Sequence, residues 1–145
     1  MKFMNKLMGA ALGSVMVLGA MALPTAAVAR DAAVTPKLVI QVSDSTPAYW
    51  NLALNNAKNV QKDLKGAVIE IVAYGPGIGM LKADSEVASR IGEAVDSGIK
   101  VVACENTMRG QKLTKADMNA KVGFVPSGVV ELMERQMEGY SYIRP

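Results

Sequence analysis

The chain contains no histidine. That gap removes Ser-His-Asp and Cys-His catalysis, an imidazole general base and every histidine-based zinc or copper site, and with them the usual hydrolase mechanisms. Cysteine is almost as scarce, because Cys104 stands alone in 145 residues and no disulfide can close within the chain. Nucleotide signatures are also missing. The segment Gly75-Pro76-Gly77-Ile78-Gly79 lacks the Gly-Lys-Ser/Thr ending of a phosphate-binding loop and the spacing of a dinucleotide fingerprint. No metal and no other cofactor is expected.

The N-terminus reads as an address. Lys2 and Lys6 give a positive start, Leu7 to Leu23 run without a charge, and Ala27-Val28-Ala29 has the small-x-small pattern of a cleavage site. This predicts a signal peptide over residues 1–29, cleaved after Ala29, and a periplasmic domain over residues 30–145 with no membrane attachment once cleaved. The competing reading is an uncleaved anchor, since the apolar run is near the lower limit for spanning a bilayer. Pro24 and the alanine-rich exit argue for cleavage. Lys2 and Lys6 leave with the leader while all 13 acidic residues stay, so the net charge drops from +3 to +1. The whole-chain pI near 9.0 therefore gives no case for a nucleic-acid partner. What remains has no internal repeat and is long enough for one core.

Arg30 to Pro36 forms a polar lead-in, and Lys37 to Val42 is a β-branched run of strand length. Ser43 to Thr46 is a loop, and Pro47 suits the first position of a helix from Ala48 to Leu64. Trp50, Ala53, Leu54, Ala57, Val60 and Leu64 share one face of that helix. Ala67 to Ala73 reads as a second strand, followed by the glycine-rich turn Tyr74 to Gly79. Asp84 or Ser85 caps a helix through Ser97, with Val87, Ala88, Ile91, Ala94 and Val95 inward. Lys100 to Ala103 is a third strand, Thr114 to Asp117 a capping-box start, and Val122 to Val125 a fourth strand. Pro126-Ser127-Gly128 then opens a helix from Val129 to Glu138, whose Val129, Val130, Met133 and Met137 form an apolar face. Tyr140 to Ile143 supplies a short fifth strand. Strands alternating with helices over short connections predict one three-layer α/β/α domain on a mostly parallel sheet of four or five strands.

Cys104 lies where the third strand ends, and carboxyl edges of such sheets are where ligands bind. Four loops should meet at that edge: Ser43 to Thr46, Tyr74 to Gly79, Cys104 to Gly110, and Pro126 to Gly128. Ser43, Asp44, Gly75, Gly77 and Ser127 are its candidate lining residues. A sulfur nucleophile must be a thiolate, which backbone N–H groups of a turn starting at Asn106 or Thr107 would favour, as would the cationic Arg109. Glu105 pushes the other way. A buried cysteine serving as a small hydrophobe remains the alternative.

The segments VIQVSDSTPAYWNLALNNAKN, IVAYGPGI, VVACENTMRG and VPSGVVELMERQMEGYSYIRP, in that order, resemble the DsrE/DsrF-like proteins across nearly the whole mature chain, in an exported branch. More distantly the chain is similar to the TusD-like sulfur-relay proteins. The resemblance implies the same three-layer fold, homo-oligomeric assembly with the cysteine near an interface, and a cysteine that carries sulfur as a persulfide. Cys104 followed by Arg109-Gly110 corresponds to that site, with a sulfur donor and an acceptor thiol as partners. Two other readings stand beside it: a binding or assembly protein with a structural Cys104, and a redox sensor forming an intermolecular disulfide.

Overall fold

The computed structural model describes residues 34–145. The expected signal peptide and the first residues of the lead-in lie outside the described residues. Five strands form one sheet: β1 (Lys37–Val42), β2 (Val68–Ala73), β3 (Lys100–Cys104), β4 (Gly123–Val125) and β5 (Ser141–Ile143), in the order β4-β3-β2-β1-β5. Every pairing is parallel. Helices α1 (Pro47–Asp63), α2 (Ala88–Asp96), α3 (Glu105–Gly110) and α4 (Gly128–Met137) connect them, with 3-10 turns at Gly75–Leu81 and Lys115–Asp117.

Strand alternation divides the interior into two unequal layers. Leu38, Ile40, Val42, Ile69, Ile71, Val101 and Ala103 face one way and meet Trp50, Ala53, Leu54, Ala57, Ile91 and Ala94 of α1 and α2 in a large core. Val39, Val72, Val102 and Val125 face the other way and meet Leu132 of α4 in a small one. The topology explains this split. Stepping from β1 to β4 in one direction keeps right-handed crossovers on one face, and the return to β5 beside β1 must pass over the other.

Three expectations are corrected. Helix α2 begins at Ala88, because Lys82 bridges Met118, the Ala83 N–H bonds the Asp117 carbonyl at 2.9 Å, and the Ser85 N–H closes a turn on the Lys82 carbonyl at 3.1 Å, which delays the helix past Asp84 and Ser85. The Ser85 hydroxyl accepts from the Val87 N–H at 3.4 Å within a turn that precedes the helix. Leu64, one residue past the end of α1, points outward and is 48 % exposed. Most consequential, the stripe of Val129, Val130, Met133 and Met137 on α4 faces solvent, with Met137 84 % exposed, while Glu131 and Leu132 are buried. The inward side of α4 meets charged groups on the sheet, so the apolar side is left outside.

Gly77 fits under the end of β1, where an added Cβ would lie 2.3 Å from the Val42 carbonyl oxygen. Gly110 has open space at the same position. Gly77→Ala is therefore expected to lose about 1–3 kcal/mol or more in urea unfolding, the scale of overpacking. Gly110→Ala should stay within about 0.5 kcal/mol of the unaltered protein.

Candidate functional site

By strand alternation the Cys104 side chain points toward α4, on the same face as Val102 and Lys100. It lies at a divergence of the chain. The path leaves β3 into α3, whose Met108 joins the large core, and leaves the adjacent β4 into α4 on the opposite face. Cys104 is opposite Val125 in the β3–β4 register, so the sulfur occupies the gap that such a divergence opens at the carboxyl edge. The residue is 4 % exposed.

Its surroundings are polar where it matters. Cys104 is the N-cap of α3, and its Sγ accepts the Thr107 N–H at 3.5 Å. The Gly75 N–H donates to the Thr107 Oγ1 at 2.9 Å, leaving the Thr107 hydroxyl proton to turn to the sulfur. Burial pushes the thiol up, but the Thr107 hydroxyl and the backbone N–H groups of Gly128, Thr107 and Asn106 together bring it below the ordinary thiol range. Hydrogen bonds to the charged form outweigh desolvation. The Gly128 N–H belongs to the first turn of α4, so the starts of α3 and α4 converge on one sulfur.

Three of the four expected loops meet here. The Asn106 N–H bonds the Pro126 carbonyl at 3.2 Å, and Gln111 Nε2 bonds the Gly75 carbonyl at 3.2 Å, tying the cysteine loop to both neighbours. The fourth is elsewhere, since β1 lies two strands from β3, about 10 Å. Ser43 Oγ accepts from Gln41 Nε2 at 2.9 Å, and Asp44 Oδ1 accepts the Thr46 N–H at 2.8 Å; the Thr46 hydroxyl, together with that N–H, holds the carboxyl below its usual value. Both line a small recess with Tyr49 and Arg144. Gly77 likewise packs on β1 and not on the cysteine loop.

Arg109 is exposed, and its guanidinium bonds Asn106 Oδ1. Glu105 pairs with Lys115 at 3.1 Å. Ser127 precedes α4 without a side-chain cap bond, and its carbonyl accepts from the Glu131 N–H. The residue next to it matters more. Gly128 supplies the donor, and a Cβ there would meet the Tyr74 Cβ at 3.0 Å, so Tyr74 closes over the start of α4 only because position 128 is glycine. Tyr74 and Gly128 lie in two of the loops expected at this edge but not among its candidate lining residues, and the signal for Gly128 is a glycine placed first in a helix after Pro-Ser. Among the described residues no group of three or more Cys, Asp or Glu could hold a metal ion.

Comparison with known proteins gives one family and one fold. Residues 37–145 match the DsrE/DsrF-like family. A protein of unknown function from Methanobacterium thermoautotrophicum is 34% identical, over 76% of this chain and 99% of its own, with a TM-score of 0.74. A conserved protein of unknown function from Bacteroides thetaiotaomicron is 20% identical, over 75% of this chain and 94% of its own, with a TM-score of 0.63. The ychN protein from E. coli is 12% identical, over 77% and 100%, with a TM-score of 0.64. The last two likenesses are of fold. No curated protein matches the chain.

Thr107→Val keeps the shape of the side chain and removes the hydroxyl that joins Gly75 to the sulfur. The midpoint of thiolate formation at Cys104, followed by ultraviolet absorbance against pH, is expected to rise toward that of an ordinary thiol. The unpaired Gly75 N–H should cost about 1 kcal/mol in the same protein.

Proposed function

Because the chain belongs to the DsrE/DsrF-like family, we propose that it is a periplasmic sulfur carrier of sulfur metabolism that holds sulfane sulfur on Cys104 as a persulfide. One observation carries the reading: a buried thiol at the start of α3 whose Sγ accepts the Thr107 N–H at 3.5 Å, and whose ionised form the polar groups of Thr107, Gly128 and Asn106 favour against burial. A cysteine kept only as a small hydrophobe has no use for such donors.

The chemistry needs nothing the chain lacks. The Cys104 thiolate attacks the outer sulfur of a donor such as thiosulfate; the donor S–S bond breaks, sulfite leaves with the electron pair, and Cys104–S–S⁻ remains. An acceptor thiolate then attacks the outer sulfur and Cys104 departs as thiolate, the displacement logic of disulfide exchange. Two ionised states therefore recur at one place, the resting thiolate and the persulfide. The donors from Thr107, Asn106 and Gly128 serve both. Histidine, metal and a second cysteine have no part in it.

Export rests on Lys2, Lys6, the uncharged run Leu7 to Leu23 and the Ala27-Val28-Ala29 pattern. Homo-oligomeric assembly is supported by the outward stripe on α4, since a contiguous apolar helix face on a small domain marks a contact surface. A binding or assembly role with a structural Cys104 is the second reading, favoured by the 4 % exposure. The redox-sensor reading requires two sulfurs to approach to about 2 Å, which a cysteine at that depth opposes.

Incubating the reduced protein with thiosulfate or polysulfide and weighing it intact should show a gain of one sulfur atom, absent in Cys104→Ser. No gain, together with resistance of the folded thiol to alkylation, would transfer the case to the second reading. For assembly, Met133→Glu with Met137→Glu should reduce the sedimenting mass to that of one chain; a mass unaffected by the pair would rule out this face as the contact.

A further inference from the structure

The face of the sheet that carries Cys104 also carries a cluster of charges at its far end. Glu70 is opposite Lys100 in the β2–β3 register, and Lys100 is four residues before Cys104, about 13 Å along the strand. Glu70 is 2 % exposed and Glu131 of α4 is 7 % exposed. Lys100 Nζ stands 3.0 Å from Glu70 Oε1 and 3.3 Å from Glu131 Oε1. Arg135 spans the same pair, with Nε 2.9 Å from Glu70 Oε2 and Nη2 2.9 Å from Glu131 Oε1, and its Nη1 reaches Glu138 at 2.5 Å. Lys37 and Tyr140 complete the surroundings, Lys37 Nζ on the Glu138 carbonyl at 3.2 Å and the Tyr140 ring 5.7 Å below the Arg135 guanidinium.

This cluster holds α4 where apolar packing is thin. Five buried residues form the core under α4, against twenty-two in the core under α1 and α2. Glu131 is three residues after Gly128, and its N–H closes the first turn on the Ser127 carbonyl at 3.0 Å. The turn that carries the Gly128 donor is thus the turn whose side chain is fixed to Lys100 and Arg135.

We propose that Glu131, through its contacts with Lys100 and Arg135, is a positioning residue that sets the first turn of α4 against the Cys104 sulfur. The inference rests on the reading of Cys104 as the reacting sulfur, and it extends that site to the opposite edge of the sheet. Its sign distinguishes it from a through-space effect. Removing a carboxylate from the neighbourhood would by itself make a thiolate easier to form. Loosening the Gly128 donor makes it harder.

The test compares Glu131→Gln, Arg135→Lys and, in the large core on the other face, Leu54→Ala, each by thiolate absorbance against pH with Cys104→Ser as the blank. Arg135→Lys keeps the charge and loses the two-pronged contact, so it tests the same seat with a milder change. Both cluster variants are expected to raise the midpoint enough to lower the thiolate fraction about threefold or more on the rising limb, where a tenfold change is one pH unit. Leu54→Ala should lower thermal stability and leave the midpoint in place. An unmoved or lowered midpoint in the cluster variants, or an equal rise in Leu54→Ala, would overturn the proposal. Failure of the unaltered protein to take up sulfur would count against the carrier reading and not against this comparison, which reads the thiol directly.

Discussion

The arrangement depends on α4 being fastened at two ends over one face of the sheet. At the carboxyl edge the N–H of Gly128 meets the Cys104 sulfur; at the amino edge Glu131 and Arg135 meet Glu70 and Lys100; between them Leu132 sits on four valines. Each end answers a separate physical demand. A sulfur anion out of water needs donors, and a buried carboxylate needs cations, and one helix serves both because Gly128 and Arg135 stand seven residues, about 10 Å, apart along it. The polar contacts are few, so each helps set the register of the helix. Removing one partner of such a group leaves the other unsatisfied, which is the costly case.

Period-two alternation made this face legible in part. In AVIEIVA the glutamate interrupts an otherwise apolar strand, and its spacing from Val72 puts both on one side; Lys100, Val102 and Cys104 repeat the pattern one strand over. The order of elements, the parallel sheet and the carboxyl-edge position of the thiol followed from strand length and short connections alone. The direction of α4 did not. Four apolar residues at helical spacing outweighed Glu131 and Arg135 in the sequence reading, because hydrophobic periodicity is scored without knowledge of what the opposing surface carries. Glu70 and Lys100 on that surface reverse the answer. The same limit applies to Arg109, whose charge suggested help for the thiolate but which the fold occupies with Asn106.

The edge loops show the difference between shared position and shared site. Ser43 and Asp44 follow a strand of the same sheet at the same edge as Cys104, yet β2 lies between β1 and β3, and their polar groups are spent on Gln41 and Thr46. Gly75 and Gly128 come from the strands flanking β3 and do reach the thiol's loop or the thiol itself. Strand order separates the two groups, and strand order in a parallel sheet is set by crossovers that a linear pattern does not encode.

A thiol this deep presents a balance between ionisation and access. Placing it at the surface would hydrate the thiolate without help from the protein, but would also expose a persulfide to oxidation, which the sulfur ladder makes hard to reverse beyond its first step. Burial alone would protect the sulfur and suppress its ionisation. Donors from two helix starts and the Thr107 hydroxyl permit both, and the loops that supply them are the ones that cover the site, held by Gly75 on Thr107, Gln111 on Gly75, and Tyr74 against Gly128.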